Sequence, residues 1–354
     1  MLYIGLDVHS KWMTIKGFNP DDGSFVEILR QSNEEQSLRE AFGKFSEPLQ
    51  GVMESGTNSW AVYRTLKPYF ERLIVVDPAT VWGKDIRRGA KTDRRDAFGL
   101  AVKMQRDELI PLYVPDEKTQ DLRMLARAKI NASRHVTKTV NEIGSQLKSW
   151  GIVLEASLLS KKGQKQLETF KAKLPEFSLI VLEMWLEMLK KAQEVEDELA
   201  KLVETEAKKD EDCQRLLSIP GVGYLTALVV RAEIGDINRF STPEQLICYC
   251  GLSPSVRQSA DSIYFGKLNR FCNKFLKYVL VLCSQNAKRY SKENPLSQTY
   301  WRVLTKGKNN AKIAVARQLV RVIFSILKNE TYWDPSNIIS RRRSPTVVTL
   351  KNLS

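Results

Sequence analysis

Leu2-Tyr3-Ile4-Gly5-Leu6-Asp7 is an apolar run of strand length that ends on a carboxylate, and the same pattern returns at Gly51-Val52-Met53-Glu54. Between them, residues 12–18 and 24–30 read as two further strands, separated by the turn Asn19-Pro20-Asp21-Asp22-Gly23. Helices are predicted at about 34–46 and 59–69, and Leu73-Ile74-Val75-Val76 reads as a buried strand that stops before Pro78. Short turns join antiparallel strands, whereas helical crossovers join parallel ones.

The order βββαβαβ, antiparallel first and parallel later, is that of a ribonuclease-H-like mixed sheet. In such a sheet the strands ending at Asp7 and Glu54 are neighbours, so their C-terminal ends bring the two carboxylates together. A second acidic pair, Asp93 and Asp96, lies in Lys91-Thr92-Asp93-Arg94-Arg95-Asp96 at the start of a predicted helix. Their i, i+3 spacing puts them on one helical face. Carboxylates are also favoured at helix starts on electrostatic grounds alone, and a strand-end Asp is often a plain turn residue. Four acids in one cleft repel each other, and hard divalent cations relieve that repulsion. Asp7, Glu54, Asp93 and Asp96 are therefore expected to hold Mg²⁺, with Mn²⁺ as a substitute, for phosphodiester chemistry. Lys84, Arg87, Arg88, Lys91, Arg94 and Arg95, with Lys11 after the first strand, would hold the phosphates of a DNA strand.

Residues 117–150 and 176–206 read as long helices. In the second, Val181, Trp185, Met188, Ala192, Val195, Leu199 and Leu202 alternate spacings of four and three. Two readings stay open: a helical hairpin packed on itself, or a coiled-coil arm that pairs two chains. The last third has a hairpin turn, Ile219-Pro220-Gly221-Val222-Gly223, a helix near 243–250, a polar loop from Ser253 to Ser262, and helices near 268–286 and 310–328. The expected division is 1–116, 117–210, 211–332 and a basic tail, 333–354.

Net charge is +14, and residues 216–354, with 21 basic and seven acidic residues, carry all of it. An excess concentrated in this way suggests a polyanion partner. Gly221 and Gly223 could let the backbone approach a phosphate, and Arg257, Lys267, Arg270, Lys274 and Lys277 read as a basic face, the last four as one helical line. Lys306, Lys308, Lys312, Arg317 and Arg321 mark another, and Arg123, Arg127, Lys129, Arg134 and Lys138 line the long helix, either gripping nucleic acid or simply solvated. Five cysteines without a C-x-x-C pair, and only two histidines, argue against a disulfide framework and a zinc site. No apolar run has transmembrane length and the N-terminus does not read as a signal peptide, so a cytoplasmic protein without a membrane partner is expected.

Ile4-Gly5-Leu6-Asp7-Val8-His9-Ser10-Lys11, Met53-Glu54-Ser55-Gly56 and Lys91-Thr92-Asp93-Arg94-Arg95-Asp96-Ala97 resemble the DEDD motifs of the IS-one-ten family of insertion-sequence transposases. Leu217-Ser218-Ile219-Pro220-Gly221-Val222-Gly223 and Cys250-Gly251-Leu252-Ser253-Pro254 are similar to that family's C-terminal transposase domain. The resemblance covers nearly the whole chain, in order. It implies a RuvC-like N-terminal domain whose carboxylates bind Mg²⁺, and a helical C-terminal domain carrying a serine nucleophile. Ser259, in Arg257-Gln258-Ser259-Ala260, falls on the serine position, with Ser262 as the other register. Gly266 matches a family glycine, while Ala260, Cys272 and Leu276-Lys277 depart from the pattern. The resemblance further implies a composite site between subunits of a dimer or tetramer, a phosphoserine link to a DNA end, and a structured guide RNA that pairs with donor and target DNA.

Three rivals accompany this reading. One is a resolvase-like nuclease in which water attacks. Another is a non-catalytic nucleic-acid-binding protein. A sugar-kinase or actin-like ATPase is disfavoured because His9 stands where a phosphate-admitting glycine is needed and no second phosphate loop follows.

Overall fold

The computed structural model describes residues 1–81, 93–259 and 262–335, which fall into two compact units, Met1–Pro115 and Asp116–Ser354. The first unit is a five-stranded mixed sheet with helices on both faces. Its strands are β1 (Leu2–Val8), β2 (Trp12–Phe18), β3 (Phe25–Ser32), β4 (Leu49–Glu54) and β5 (Arg72–Val76). Their order is β3-β2-β1-β4-β5. The hairpin strands β1, β2 and β3 pair antiparallel, and β4 and β5 join β1 in parallel through helical crossovers.

Alternation along β1 decides which side chains meet which helices. Leu2, Ile4 and Leu6 are buried in a core with Leu38 and Phe42 of α1 (Glu35–Phe42) and Val62 and Leu66 of α2 (Ser59–Leu66). The opposite face holds Tyr3, Gly5 and Asp7. The short α3 (Pro78–Val81) and α4 (Asp93–Gln105) follow β5. Ala97, Leu100, Ala101 and Met104 form the buried stripe of α4, and Leu100 and Met104 pack with Val52, Ile74 and Val76. Gly5 is what lets α4 sit so close, because the Ala97 carbonyl occupies the space that a side chain there would need. Fully burying two side chains such as Leu100 and Met104 stabilises this contact by roughly 3–6 kcal/mol.

The second unit is helical apart from one hairpin. Its helices are α5 (Glu117–Ser149), α6 (Lys161–Lys171), α7 (Glu176–Lys209), α8 (Glu211–Leu217), α9 (Tyr224–Ile234), α10 (Pro243–Tyr249), α11 (Lys274–Ser284), α12 (Pro295–Leu304) and α13 (Lys308–Asn329). Asp116 caps α5 by accepting from the Thr119 backbone N–H at 2.6 Å, which holds its carboxyl below the usual aspartate range. The helices α5 and α7 form an antiparallel pair. Gln146 bonds to Ser178 at one end and Lys129 to Glu196 at the other. The 4–3 pattern of α7 splits between two faces. Trp185 and Ala192 pack toward α5 beside buried Leu182 and Leu189. Phe177, Val181, Met184, Met188, Val195 and Leu202 face outward and are exposed.

Three expectations change. Within the expected loop from Ser253 to Ser262, Pro254–Ser259 form a strand, β6, which pairs antiparallel with β7 (Ser262–Leu268). The polar residues of that stretch hid its strand character in the sequence. The predicted helix at 268–286 starts at Lys274, since the Asn273 side chain accepts from the Phe275 and Leu276 N–H groups and caps it there. Lys267 therefore lies in β7 and Arg270 in the connecting turn, so the four cations do not line one helix. Helices α6 and α12 have no counterpart in the sequence expectations. Among the described residues, no helix is long and apolar enough to cross a membrane.

Candidate active site

Asp7 and Glu54 come together for topological reasons. Leu6 pairs with Met53 across the parallel β1–β4 ladder, so Asp7 and Glu54 occupy the next step on strands about 4.8 Å apart. Val52 packs with α4 while Met53 packs on the other face, so the period of two puts Glu54 on the α4 side, as it does Asp7. Asp96 lies on α4 directly before Ala97, whose carbonyl touches Gly5, two residues before Asp7. Asp93 opens the same helix one turn earlier. Asp7 and Glu54 thus share one end of one sheet face, and Asp93 and Asp96 lie on the helix that packs against that face.

The loop after β1 is built to hold this end. Asn33 and Asn58 both donate to the His9 carbonyl, at 2.7 and 2.8 Å. The His9 ring lies 4.1 Å from that of Trp12, and its Nε2 is 3.5 Å from an Asp7 carboxylate oxygen. Arg30 covers the Trp12 ring at 5.4 Å. Past Glu54, the Ser55 N–H donates to the Val76 carbonyl, and the Ser59 hydroxyl bonds both backbone groups of Gly56. Sequence reading missed Asn33 and Asn58. Neither lies in a motif, and only their shared acceptor reveals them.

The donor set suits a hard cation, since Asp7, Glu54, Asp93 and Asp96 offer only oxygen. Among the described residues, no group of three or more acidic, histidine or cysteine side chains stands ready-made around a metal position. The donor chemistry fits a divalent ion. The basic residues around the last pair divide: Lys11 and Arg95 are exposed, while Lys84, Arg87, Arg88 and Lys91 lie outside the described residues, and Arg94 is placed within α4.

In the second unit, Ser259 ends β6 and pairs directly with Ser262, while Arg257 pairs with Tyr264. Ala260 lies outside the described residues. The Cys272 departure has a packing reason: its side chain fills the space beside Gly251, whose φ of +65° also needs glycine. Gly221 is likewise required locally, because Tyr290, which donates to the Pro220 carbonyl at 2.8 Å, occupies its Cβ position. Gly223 is different: it caps α9, and nothing lies within 4 Å of where its Cβ would stand. Lys267, Arg270 and Lys274 are exposed.

Several cations expected on nucleic-acid-binding or solvated faces are instead internal partners. Arg123 is buried and donates to the Ala232 and Glu233 carbonyls. Arg127 grips the buried Glu233 carboxylate at 2.6 and 2.8 Å, and this pairing raises the guanidinium pKa further. Lys129 pairs with Glu196 at 2.7 Å. Arg317 donates to the Leu252 carbonyl at 2.7 Å, and its burial lowers its pKa. Charge counting along a sequence cannot separate these from Arg134 and Lys138, which are exposed.

Glu233 also accepts from Asn273 at 2.7 Å, so one buried carboxylate ties α5 to the residue that caps α11 just after the hairpin. The available signal was an isolated acid inside the apolar run of α9. Replacing Glu233 with Ala strands guanidinium and amide donors. It is expected to cost about 3 kcal/mol or more in chemical denaturation, and a loss under 1 kcal/mol would contradict the network.

The comparisons match this layout in order. A family described simply as a transposase, of the DEDD type of IS110, matches residues 4–151, and one described as "Transposase IS116/IS110/IS902 family" matches residues 213–302. Together they span about two thirds of the chain. A transposase for insertion sequence element IS1111A from Coxiella burnetii is 28% identical over 292 residues, covering 79% of this chain and 78% of that protein. A probable family 20 transposase from Pseudomonas aeruginosa is 23% identical over 344 residues, covering 94% and 98%. Two family matches in the right order and relatives aligned over most of their length lead to one conclusion: this chain belongs to the IS116/IS110/IS902 family of insertion-sequence transposases.

Proposed function

We propose that the protein cuts and rejoins DNA through a RuvC-like acidic centre and a serine nucleophile, guided by a structured RNA. The observation that carries this is that Asp7 and Glu54 end neighbouring parallel strands on the sheet face against which the helix of Asp93 and Asp96 packs. The strand order supports the RuvC-like reading. Asp7, Glu54, Asp93 and Asp96 would hold Mg²⁺, or Mn²⁺ in its place. When bound, the ion supplies positive charge for the oxygens that gain charge as a phosphodiester is exchanged.

The chain's own residues do the rest. Ser259 supplies the hydroxyl that attacks the scissile phosphate. Lys11, Lys91, Arg94 and Arg95 hold strand phosphates near the acids. Arg257, Lys267, Arg270 and Lys274, with the helix start at Gly223, hold them near the serine. Gly221 shapes that turn. Donor and target DNA are read by the guide, leaving the protein to bind backbone and shape.

Residues 117–210 act as the arm that joins a second copy. Val181, Met188, Val195 and Leu202 repeat every seven residues along the outward face of α7, one of the two apolar positions per heptad that a two-stranded coiled coil uses, with Phe177 and Met184 adding the other at the start of the helix. One preparation tests both partners: the protein is expressed with its native flanking DNA, its bound RNA is sequenced, and its mass is read by sedimentation. A single RNA mapping to the flank, on a dimer or tetramer, is expected. A monomer without enriched RNA would overturn the guided, composite reading.

A further inference from the structure

The hairpin that carries Ser259 presents more than a hydroxyl. Directly opposed residues of an antiparallel pair share a face, so the Ser259–Ser262 and Arg257–Tyr264 pairs put Tyr264 on the face of Ser259. Diagonal neighbours on such a face are about 7–8 Å apart at the backbone, within reach of an aromatic side chain. Tyr264 is 67% exposed. Phe271, in the turn after β7, is 84% exposed, more than any other large apolar side chain among the described residues.

That turn is well anchored. The Asn269 N–H donates to the Ser253 carbonyl, the Phe271 N–H to the Asn269 side chain, and the Asn273 N–H to the Tyr249 carbonyl. A structured turn therefore holds a phenyl ring in water. Lys267, Arg270 and Lys274 are exposed around it, and no acidic residue lies between Ser262 and Tyr290. Exposed aromatic rings among exposed cations suit a ligand with π-faces and phosphates.

We propose that Tyr264, beside Ser259, and Phe271, past the far end of β7, are two stacking sites for unpaired bases of the DNA strand that Ser259 attacks. Exchange requires the duplex to open at the cut, and stacking on fixed rings would hold the opened bases while the lysines and arginine hold their phosphates. The placement rests on the reading of Ser259 as nucleophile, whereas the stacking itself can be measured without it.

The test compares binding of the purified full-length protein to a labelled oligothymidylate and to an abasic deoxyribose-phosphate strand of equal length, at one salt concentration. Wild type should prefer the base-bearing strand by about five- to 150-fold for a single stacked base. Tyr264→Ala and Phe271→Ala should each cut that preference several-fold and leave abasic binding unchanged, while Tyr264→Phe should keep it. Equal binding of both strands by wild type, or a full preference in both alanine variants, would overturn the proposal. Ser259→Ala should keep the wild-type preference. If Ser259 proves not to be the nucleophile, the oligonucleotide result still decides the stacking.

Discussion

Asp7→Asn should lower cleavage and strand exchange at least about 10³-fold while leaving the fold intact. The substitution keeps the side chain's shape and removes its charge. Asp7 lies on the α4 face at the end of β1, outside the core that Leu2, Ile4 and Leu6 make on the other side. Stability should therefore stay within about 0.5 kcal/mol of wild type. Carboxylates on adjoining strand ends repel each other, and a bound cation would relieve that repulsion. Glu54→Gln should behave alike, and excess Mn²⁺ should restore part of the activity if the defect is weakened metal binding. Guide-dependent cleavage at the wild-type rate by purified Asp7→Asn protein would remove Asp7 from the centre, and with it the reading of the sheet end as the active site.

The first unit was legible because its chemistry follows its periodicity. Leu2, Ile4 and Leu6 alternate with Tyr3, Gly5 and Asp7, and the two acids end consecutive parallel strands, so linear order alone makes them neighbours. The role of Gly5 was not legible, because α4 rests on it from more than 90 residues away along the chain. Nor was the β6–β7 hairpin, in which Ser255, Gln258, Ser259 and Ser262 mask the alternation of a ribbon paired only with itself. The family resemblance marked Ser259, but no local pattern did.

Charge was the most misleading signal. Arg123, Arg127 and Lys129 are spaced like the cations of a binding face, yet each is turned inward by an acceptor that is distant in sequence: Ala232 and Glu233 carbonyls, the Glu233 carboxylate, and Glu196. Guanidinium pairing with a buried carboxylate is a tertiary event that composition cannot anticipate. The same network reaches Asn273 and so fixes where α11 begins, which is why Lys267 and Arg270 fall on the hairpin and its turn and not on a helix. Correcting that one boundary moves Lys267 onto the strand that follows the serine and Arg270 into the turn beyond it.

Ser259→Ala should abolish the covalent protein–DNA adduct that survives denaturation, and with it strand exchange, while DNA binding persists. In the proposed step the Ser259 Oγ–P bond forms, the P–O3′ bond breaks, and the serine proton ends on the released 3′ oxygen, leaving a phosphoserine on the 5′ side. Alanine has no oxygen to form that bond, so the adduct should fall below detection and cleavage by at least about 10³-fold. The informative partner is Ser262→Ala. The two serines are directly paired across β6 and β7, so either would present a hydroxyl at the same end of the hairpin, and the fold alone does not distinguish them. The family resemblance puts Ser259 on the serine position, and Ser262→Ala should retain the adduct. Loss of the adduct in Ser262→Ala alone would move the nucleophile across the hairpin. Undiminished cleavage without an adduct in the Ser259→Ala, Ser262→Ala double variant would mean that water attacks, as in a resolvase-like nuclease, with the acidic centre unchanged.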